Sequence, residues 1–113
     1  MKLDFKKVNR VAELSREADC CIRIQDYGQA REIAGEIALL GWPVISADIY
    51  MRTGEVEKAR ELVVPVAEEL SGRGYHMRAA AHYHKVGMTE EFLLELEQHR
   101  LIYGINHGKK LMS

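Results

Sequence analysis

The stretch ADIYMRTGEVEKAREL, residues 47–62, contains the pattern that decides the fold. Its apolar residues recur mostly three and four positions apart, which is the spacing of one face of an α-helix. Gly54 interrupts the stretch, and glycine is the residue that most often ends a helix. Glu55 and Glu57 follow, and acidic side chains stabilise the first turn of a new helix. The stretch therefore predicts two helices joined by a tight turn.

The same start and stop signals divide the rest of the chain. Asp4 is a suitable N-cap for a first helix that ends near Gln25, and Asp26 with Gln29 three residues later has the spacing of a capping box. The remaining helix boundaries fall at glycines, a proline and a threonine, namely Gly41, Pro43, Gly74, Gly87 and Thr89. Because the connections are short, consecutive helices should be antiparallel. The sequence predicts an all-α fold of about six helices arranged as antiparallel hairpins.

Pro65 lies inside the predicted fourth helix, where it removes one backbone hydrogen bond and crowds the carbonyl group of Glu61. We expect a kinked but continuous helix. The alternative is a helix that breaks and begins again with Pro65 in its first turn.

Composition excludes several classes of function. The chain has 113 residues, of which 47% are hydrophobic and 29% charged, as is typical of one folded domain. With a net charge of −1 it has no overall field that attracts nucleic acid or an anionic membrane. No apolar run has the length of a membrane span, and the adjacent Cys20 and Cys21 form no disulfide framework. We therefore expect a soluble cytoplasmic protein with no nucleic-acid or membrane partner.

The hairpin recurs when the chain is aligned on the predicted turns at residues 25–27, 54–56 and 87–89. The first helices then share a small residue, at Ala18, Ala47 and Ala80. Three residues later they have Cys21, Tyr50 and Tyr83. The second helices align at Ala30, Ala59 and Phe92, and four residues later at Ala34, Val63 and Leu96. Small side chains at such positions allow two helices to approach closely.

This order of small, aromatic, turn, small and bulky positions resembles the tetratricopeptide repeat over nearly the whole chain. The copies are degenerate, since the aligned alanines are 29 and 33 residues apart whereas the family period is 34. The large apolar position that Leu14 occupies in the first hairpin is occupied by Pro43 in the second and His76 in the third. The resemblance implies a short α-solenoid, a TPR-like superhelix, with one domain over residues 1–103 and a flexible tail over residues 104–113. The alternative is a non-repetitive helical bundle.

Members of this family use their first helices to line a concave face that takes a peptide or a partner helix. The alignment assigns to that face the side chains of Ile22, Met51, Met77 and His84, beside a basic row formed by Arg23, Arg52 and Lys85. The resemblance implies that this row binds an acidic segment of another protein, although the asparagines that grip a C-terminal carboxylate in such domains are missing. The alternative is that Asp19 pairs with Arg23, and Asp48 with Arg52, within their own helices.

The residues that catalysis or metal binding would need do not have suitable spacings. The five histidines are His76, His82, His84, His99 and His107. None lies three or four residues from another within a helix, and the chain has no HExxH, CxxC or phosphate-loop motif. We expect no enzyme, no metal and no cofactor. The alternative is a metal- or thiol-dependent enzyme on a helical bundle.

The last predicted helix has more apolar residues than one contact face requires. Phe92, Leu96 and Tyr103 should pack inward, whereas Leu94 and Leu101 lie on nearly the opposite side. We expect these two leucines to contact a second copy of the chain or a partner protein.

These observations favour a protein-interaction adaptor or scaffold that binds a peptide or helix of another protein. It would act as a homodimer or as a subunit of a complex. The alternative is a homo-oligomeric structural subunit without a ligand groove.

Overall fold

The computed structural model describes residues 4–104, and within this range it contains six α-helices, a π-helical turn and no strand. The helices are α1 (Phe5–Arg23), α2 (Tyr27–Leu39), α3 (Pro43–Arg52), α4 (Val56–Gly72), α5 (His76–Lys85) and α6 (Thr89–His99), followed by the π-turn (Arg100–Gly104). The prediction of an all-α fold with six helices and short connections is confirmed.

The chain forms two compact units, one ending at Leu62 and the other beginning at Val63. Helix α4 contributes its first part to the first unit and its second part to the other. The predicted single domain over residues 1–103 stays a prediction, and the predicted tail beyond Gly104 lies outside the described residues.

Two aspartates begin helices as the sequence predicts. The Oδ1 atom of Asp4 accepts hydrogen bonds from the backbone N–H groups of Lys6 and Lys7, at 3.1 and 3.3 Å. The Oδ1 atom of Asp26 accepts one from the backbone N–H group of Gln29, at 3.2 Å. Each aspartate thereby satisfies N–H groups that the first turn of a helix leaves without a partner.

All three turns within the predicted hairpins have the same backbone geometry. The second residue after the helix has a positive φ angle, 65° at Gln25, 84° at Gly54 and 71° at Gly87. The next backbone N–H group donates to a carbonyl five residues earlier, and the acceptors are the aligned residues Cys21, Tyr50 and Tyr83. This is the Schellman ending of a helix. The turns after α2 and α4 have the same ending. The Schellman ending is therefore general in this chain and is not specific to the turns within the predicted hairpins.

In the first unit α2 packs against both α1 and α3. The aligned small residues Ala18, Ala30 and Ala47 are buried there, and Ser46 donates a hydrogen bond through its Oγ atom to the carbonyl of Ala34 at 2.6 Å. A buried hydroxyl that has a partner avoids the free-energy cost of an unsatisfied polar group. Small side chains at the crossings bring the helices close together.

The core of the second unit is formed by Ala67 of α4 with Ala79 and Tyr83 of α5. Four partly buried side chains pack against it, those of Val64, Leu70, Met88 and Phe92. Helix α4 continues through Pro65, so the helix does not break there. This core fixes which side of α5 faces inward.

One prediction about the last helix is wrong. Tyr103, which was expected to pack inward, is 55% exposed, whereas Phe92 and Leu96 are partly buried as predicted. Tyr103 belongs to the π-turn. A π-helical turn contains more residues than an α-helical turn, so it rotates the following side chains away from the positions that an uninterrupted α-helix gives them.

Candidate interaction surface

Helix α5 has two sharply different faces. Ala79, Ala80 and Tyr83 are buried on one side. The opposite side exposes the side chains of Met77, Arg78, Ala81, His84 and Lys85. Three of these, Met77, His84 and Lys85, were assigned to the partner-binding face from the sequence. Their exposure leaves them accessible to a ligand.

The exposed side of α5 is positively charged without internal compensation. Residues 74–88 contain Arg78, Lys85 and three histidines but no aspartate or glutamate. The guanidinium of Arg78 lies 5.2 Å from the centre of the Tyr75 ring, a cation–π contact that leaves its charge uncompensated. Among residues 4–104 neither Arg78 nor Lys85 forms an ion pair. A basic surface of this kind is complementary to an acidic partner.

The histidines of α5 have separate surroundings. His84 packs its ring against Phe92, with the ring centres 4.9 Å apart. His82 has a buried Nδ1 atom that finds no hydrogen-bond partner within residues 4–104, and partial burial together with the charge of Lys85 lowers its pKa. His76 lies 2.7 Å from Glu95, Nδ1 to Oε2, and both side chains are largely buried. The last pair links α5 to α6.

Helix α6 also exposes apolar side chains. Leu94 is 65% exposed and Leu101 is 43% exposed. Leu93, Ile102 and Tyr103 are exposed to a similar extent. Several large apolar side chains are thus exposed on one helix and the turn after it, which makes this segment a candidate interaction surface. The expectation that Leu94 and Leu101 lie outside the core agrees with their exposure, and what contacts them stays a prediction.

In the first unit the two predicted basic residues, Arg23 and Arg52, differ in whether a carboxylate pairs with them. Arg52 lies 2.6 Å from a carboxylate oxygen of Asp19 and 3.8 Å from one of Asp48. Asp19 therefore pairs across helices with Arg52 and not, as considered from the sequence, with Arg23 in its own helix. Arg23 is exposed and has no ion pair among the described residues. Arg52 is thus largely neutralised, whereas the charge of Arg23 remains available.

Ile22 and Met51, assigned with Arg23 and Arg52 to the concave face, are partly buried in the first unit. Met77, His84 and Lys85 belong to the second unit. The structure therefore brings Arg52 to Asp19 within the first unit, and Met77, His84 and Lys85 onto one helix of the second.

An open groove of about 510 Å³ beside the two cysteines was not anticipated from the sequence. It is lined by Glu13, Arg16, Glu17, Cys20, Cys21, Gln29 and Ile33. Desolvation and the nearby Asp26, Cys20 and Glu17 raise the pKa of Cys21. A raised pKa disfavours the thiolate, which is the reactive form of cysteine. The groove therefore does not activate this thiol.

Within residues 4–104 no three histidine, cysteine or carboxylate side chains gather in a way that suits a metal ion. None of the helices in this range combines the length and the apolarity needed to cross a bilayer.

Sequence reasoning missed Arg78 as a member of the exposed basic face. The signal was present, because no acidic residue occurs between Gly74 and Met88. The basic row was predicted by comparing one aligned position in each hairpin. The charge pattern along α5 itself identifies Arg78 together with Lys85.

Comparison with models of known protein families, with curated proteins and with solved structures finds no significant match to this chain.

Proposed function

We propose that the chain is a non-enzymatic interaction module that binds an acidic peptide or helix of another protein. The observation that carries this proposal is the exposed face of α5, where Arg78 and Lys85 stand without a neutralising carboxylate among the described residues. An acidic ligand that meets both charges gains complementary ionic contacts at each of them.

The uncharged side chains of this face suit a helical or extended ligand. Ala81 lies between the two cations and is small, so a partner backbone can approach α5 closely there. Met77 is 49% exposed and has a flexible thioether side chain that adapts to different apolar surfaces. We propose an apolar contact at Ala81 between the two ionic contacts, and a further apolar contact at Met77 beside Arg78.

The wider proposal rests on the alignment of the hairpins in the sequence. It is supported by the burial of the aligned alanines Ala18, Ala47 and Ala80. We propose a TPR-like scaffold acting in the cytoplasm without a cofactor. Within the first unit, Arg23, Ile22 and Met51 would form a partner surface of their own, and Arg52 would contribute less because Asp19 and Asp48 already neutralise it.

A second candidate function, a homo-oligomeric subunit, is favoured by the exposure of Leu94 and Leu101 on α6. Burying these exposed leucines against another protein surface would gain hydrophobic free energy.

The first prediction tests the basic face with Lys85→Glu. A partner is captured by affinity purification from the native host and identified by mass spectrometry, and its binding segment is then titrated against wild type and variant. Charge reversal should weaken binding by roughly tenfold, since like charges then meet across the interface. The melting temperature should fall only slightly, because the exposed Lys85 has no ion pair to lose within the described residues and loses only its favourable position at the C-terminal end of α5.

The matched control is Lys7→Glu, which makes the same charge change at an exposed position of α1. It should leave affinity unchanged. Affinity for the wild type should also fall as salt rises. Binding that responds to neither Lys85→Glu nor salt contradicts the proposed role of α5.

A further inference from the structure

The exposed residues of α5 form a continuous stripe. Met77, Arg78, Ala81 and Lys85, called the α5 stripe below, are spaced so that they follow one side of the helix. All four are exposed, and the side opposite them packs into the core through Ala79, Ala80 and Tyr83. The two cations of the stripe are seven residues apart and stand on either side of the small Ala81.

Helix α6 and the start of the π-turn form a second stripe. Glu90, Leu94 and Glu97 follow one another along one side of α6, and Leu101 of the π-turn is exposed beyond them. These four residues are called the α6 stripe below. All four side chains are exposed. Its carboxylates are also seven residues apart, with Leu94 between them. The partly buried Phe92 and the buried Glu95 lie on the other side of α6.

The charges of the two helices are segregated. Residues 74–88 contain no acid, and Thr89–His99 contains four glutamates and no lysine or arginine. Within residues 4–104 no ion pair of a lysine or arginine with a carboxylate joins α5 and α6, and the largely buried His76 and Glu95 are linked by a hydrogen bond of 2.7 Å. Arg78, Lys85 and Glu90 have no ion pair in this range, so complementary charges stay uncompensated on both exposed stripes.

We infer that the α6 stripe of one copy of the chain docks on the α5 stripe of a second copy. The inference rests on the proposed function, because it names the acidic helix that the α5 face takes. Seven residues of α-helix span about 10.5 Å, so the spacing of Arg78 and Lys85 equals that of Glu90 and Glu97. When the charges meet in pairs, Leu94 falls opposite Ala81, where a small side chain leaves room for a large one.

Charge complementarity favours a second copy as the occupant. The chain carries both the basic α5 stripe and the acidic α6 stripe. Among the described residues, Glu97 is the one charged member of the two stripes that forms an ion pair. That carboxylate accepts hydrogen bonds from Arg100 at 2.6 and 3.1 Å. The side chains of Arg100 and Glu97 are 67% and 51% exposed, so docking has to replace this solvent-accessible pair with a contact between Glu97 and Arg78. Burial of Leu94 and Leu101 supplies the apolar part of the binding energy.

The second prediction tests this docking through the mass of the particle in solution, measured by light scattering over a range of protein concentrations. Wild type should associate to a dimer or larger species. Leu94→Lys/Leu101→Lys and Arg78→Glu/Lys85→Glu should each be monomeric, with circular dichroism and melting temperature confirming that both fold. Association should weaken as salt rises.

Charge exchange provides the decisive control. Glu90→Lys/Glu97→Lys alone should also be monomeric, but combining it with Arg78→Glu/Lys85→Glu in one chain should restore association, because opposite charges meet again. Mixing the two double variants should give a mixed complex.

A monomeric wild type at every concentration overturns the inference, and so does association that Arg78→Glu/Lys85→Glu leaves intact. The proposed function is tested separately. A monomeric wild type whose captured partner still depends on Lys85 refutes self-docking and supports the binding module. Partner binding that is indifferent to Lys85 and to salt refutes the use of α5 altogether.

Discussion

At the scale of single residues, Gln25 is the non-glycine residue among those that end helices with a positive φ angle in the described part of the chain. Gly41, Gly54, Gly74 and Gly87 each have a positive φ angle after a helix, and Gln25 adopts the same conformation after α1. A side chain makes this left-handed conformation unfavourable by roughly 1–2 kcal/mol. The Schellman hydrogen bond between Asp26 N–H and the Cys21 carbonyl, at 2.8 Å, holds Gln25 there nonetheless.

The third prediction is that Gln25→Gly raises the free energy of unfolding by about 0.5–1 kcal/mol, since relief of strain exceeds the entropy that glycine adds to the unfolded chain. Urea unfolding measures it. Gly54→Gln is the reverse control, because a Cβ atom at Gly54 meets no atom within 4 Å and only the backbone conformation is strained. It should destabilise by a similar amount. The idea fails if Gln25→Gly lowers stability.

His82 makes stability depend on pH. Partial burial and the charge of Lys85 lower its pKa below the ordinary value of 6.5. As pH falls below about 6.5, the unfolded chain takes up a proton at His82 before the folded chain does, so stability decreases. Well above that pH both states are neutral at this site and the contribution is constant.

The fourth prediction is that the urea midpoint falls as pH is lowered through this window, and that His82→Gln makes the fall shallower. His84→Gln removes an imidazole on the exposed side of the same helix and serves as the control. Equal pH profiles for wild type and His82→Gln would refute the role of His82.

At the scale of elements, α5 shows how one helix separates structure from recognition. Ala80 and Ala81 are adjacent in the sequence, yet Ala80 is buried and Ala81 is exposed. A change of 100° around the helix axis between neighbours is enough to move a residue from the core to the surface. The same difference separates Tyr83 in the core from His84 on the exposed side.

The fifth prediction uses this neighbouring pair. Ala80→Leu should overpack the core and lower the free energy of unfolding by roughly 1–3 kcal/mol, as should Ala47→Leu in the first unit. Ala81→Leu, with the same change in volume, should stay within about 0.5 kcal/mol of wild type. Urea unfolding of the three variants measures this. If Ala80→Leu and Ala47→Leu are as stable as wild type, the aligned alanines are not tightly packed crossing positions.

At the scale of the whole molecule, a net charge of −1 conceals strong local differences. Residues 74–88 are basic and the following helix is acidic, so the near-neutral total says little about the surfaces that a partner meets. Exclusion of nucleic acid on the total charge alone therefore stays a prediction. The separation of charge between neighbouring helices is what makes binding to another acidic helix, including a second copy, physically favourable.

The sequence by itself determined the helices and their boundaries. Asp4, Asp26, Gly54 and Gly87 act through hydrogen bonds and backbone conformations that involve residues no more than five positions away. Such signals can be read without knowing the fold. The burial of Ala18, Ala47 and Ala80 was predicted from the alignment of the hairpins, because only small side chains fit where two helices cross closely.

Tertiary structure alone decided the partners across helices. Asp19 pairs with Arg52, 33 residues away, and His76 pairs with Glu95, 19 residues away. Which carboxylate meets which cation depends on the rotation and axial position of two packed helices, and sequence spacing within one helix contains neither. The π-turn exposes Tyr103 because adding a residue to one turn changes the direction of every side chain that follows.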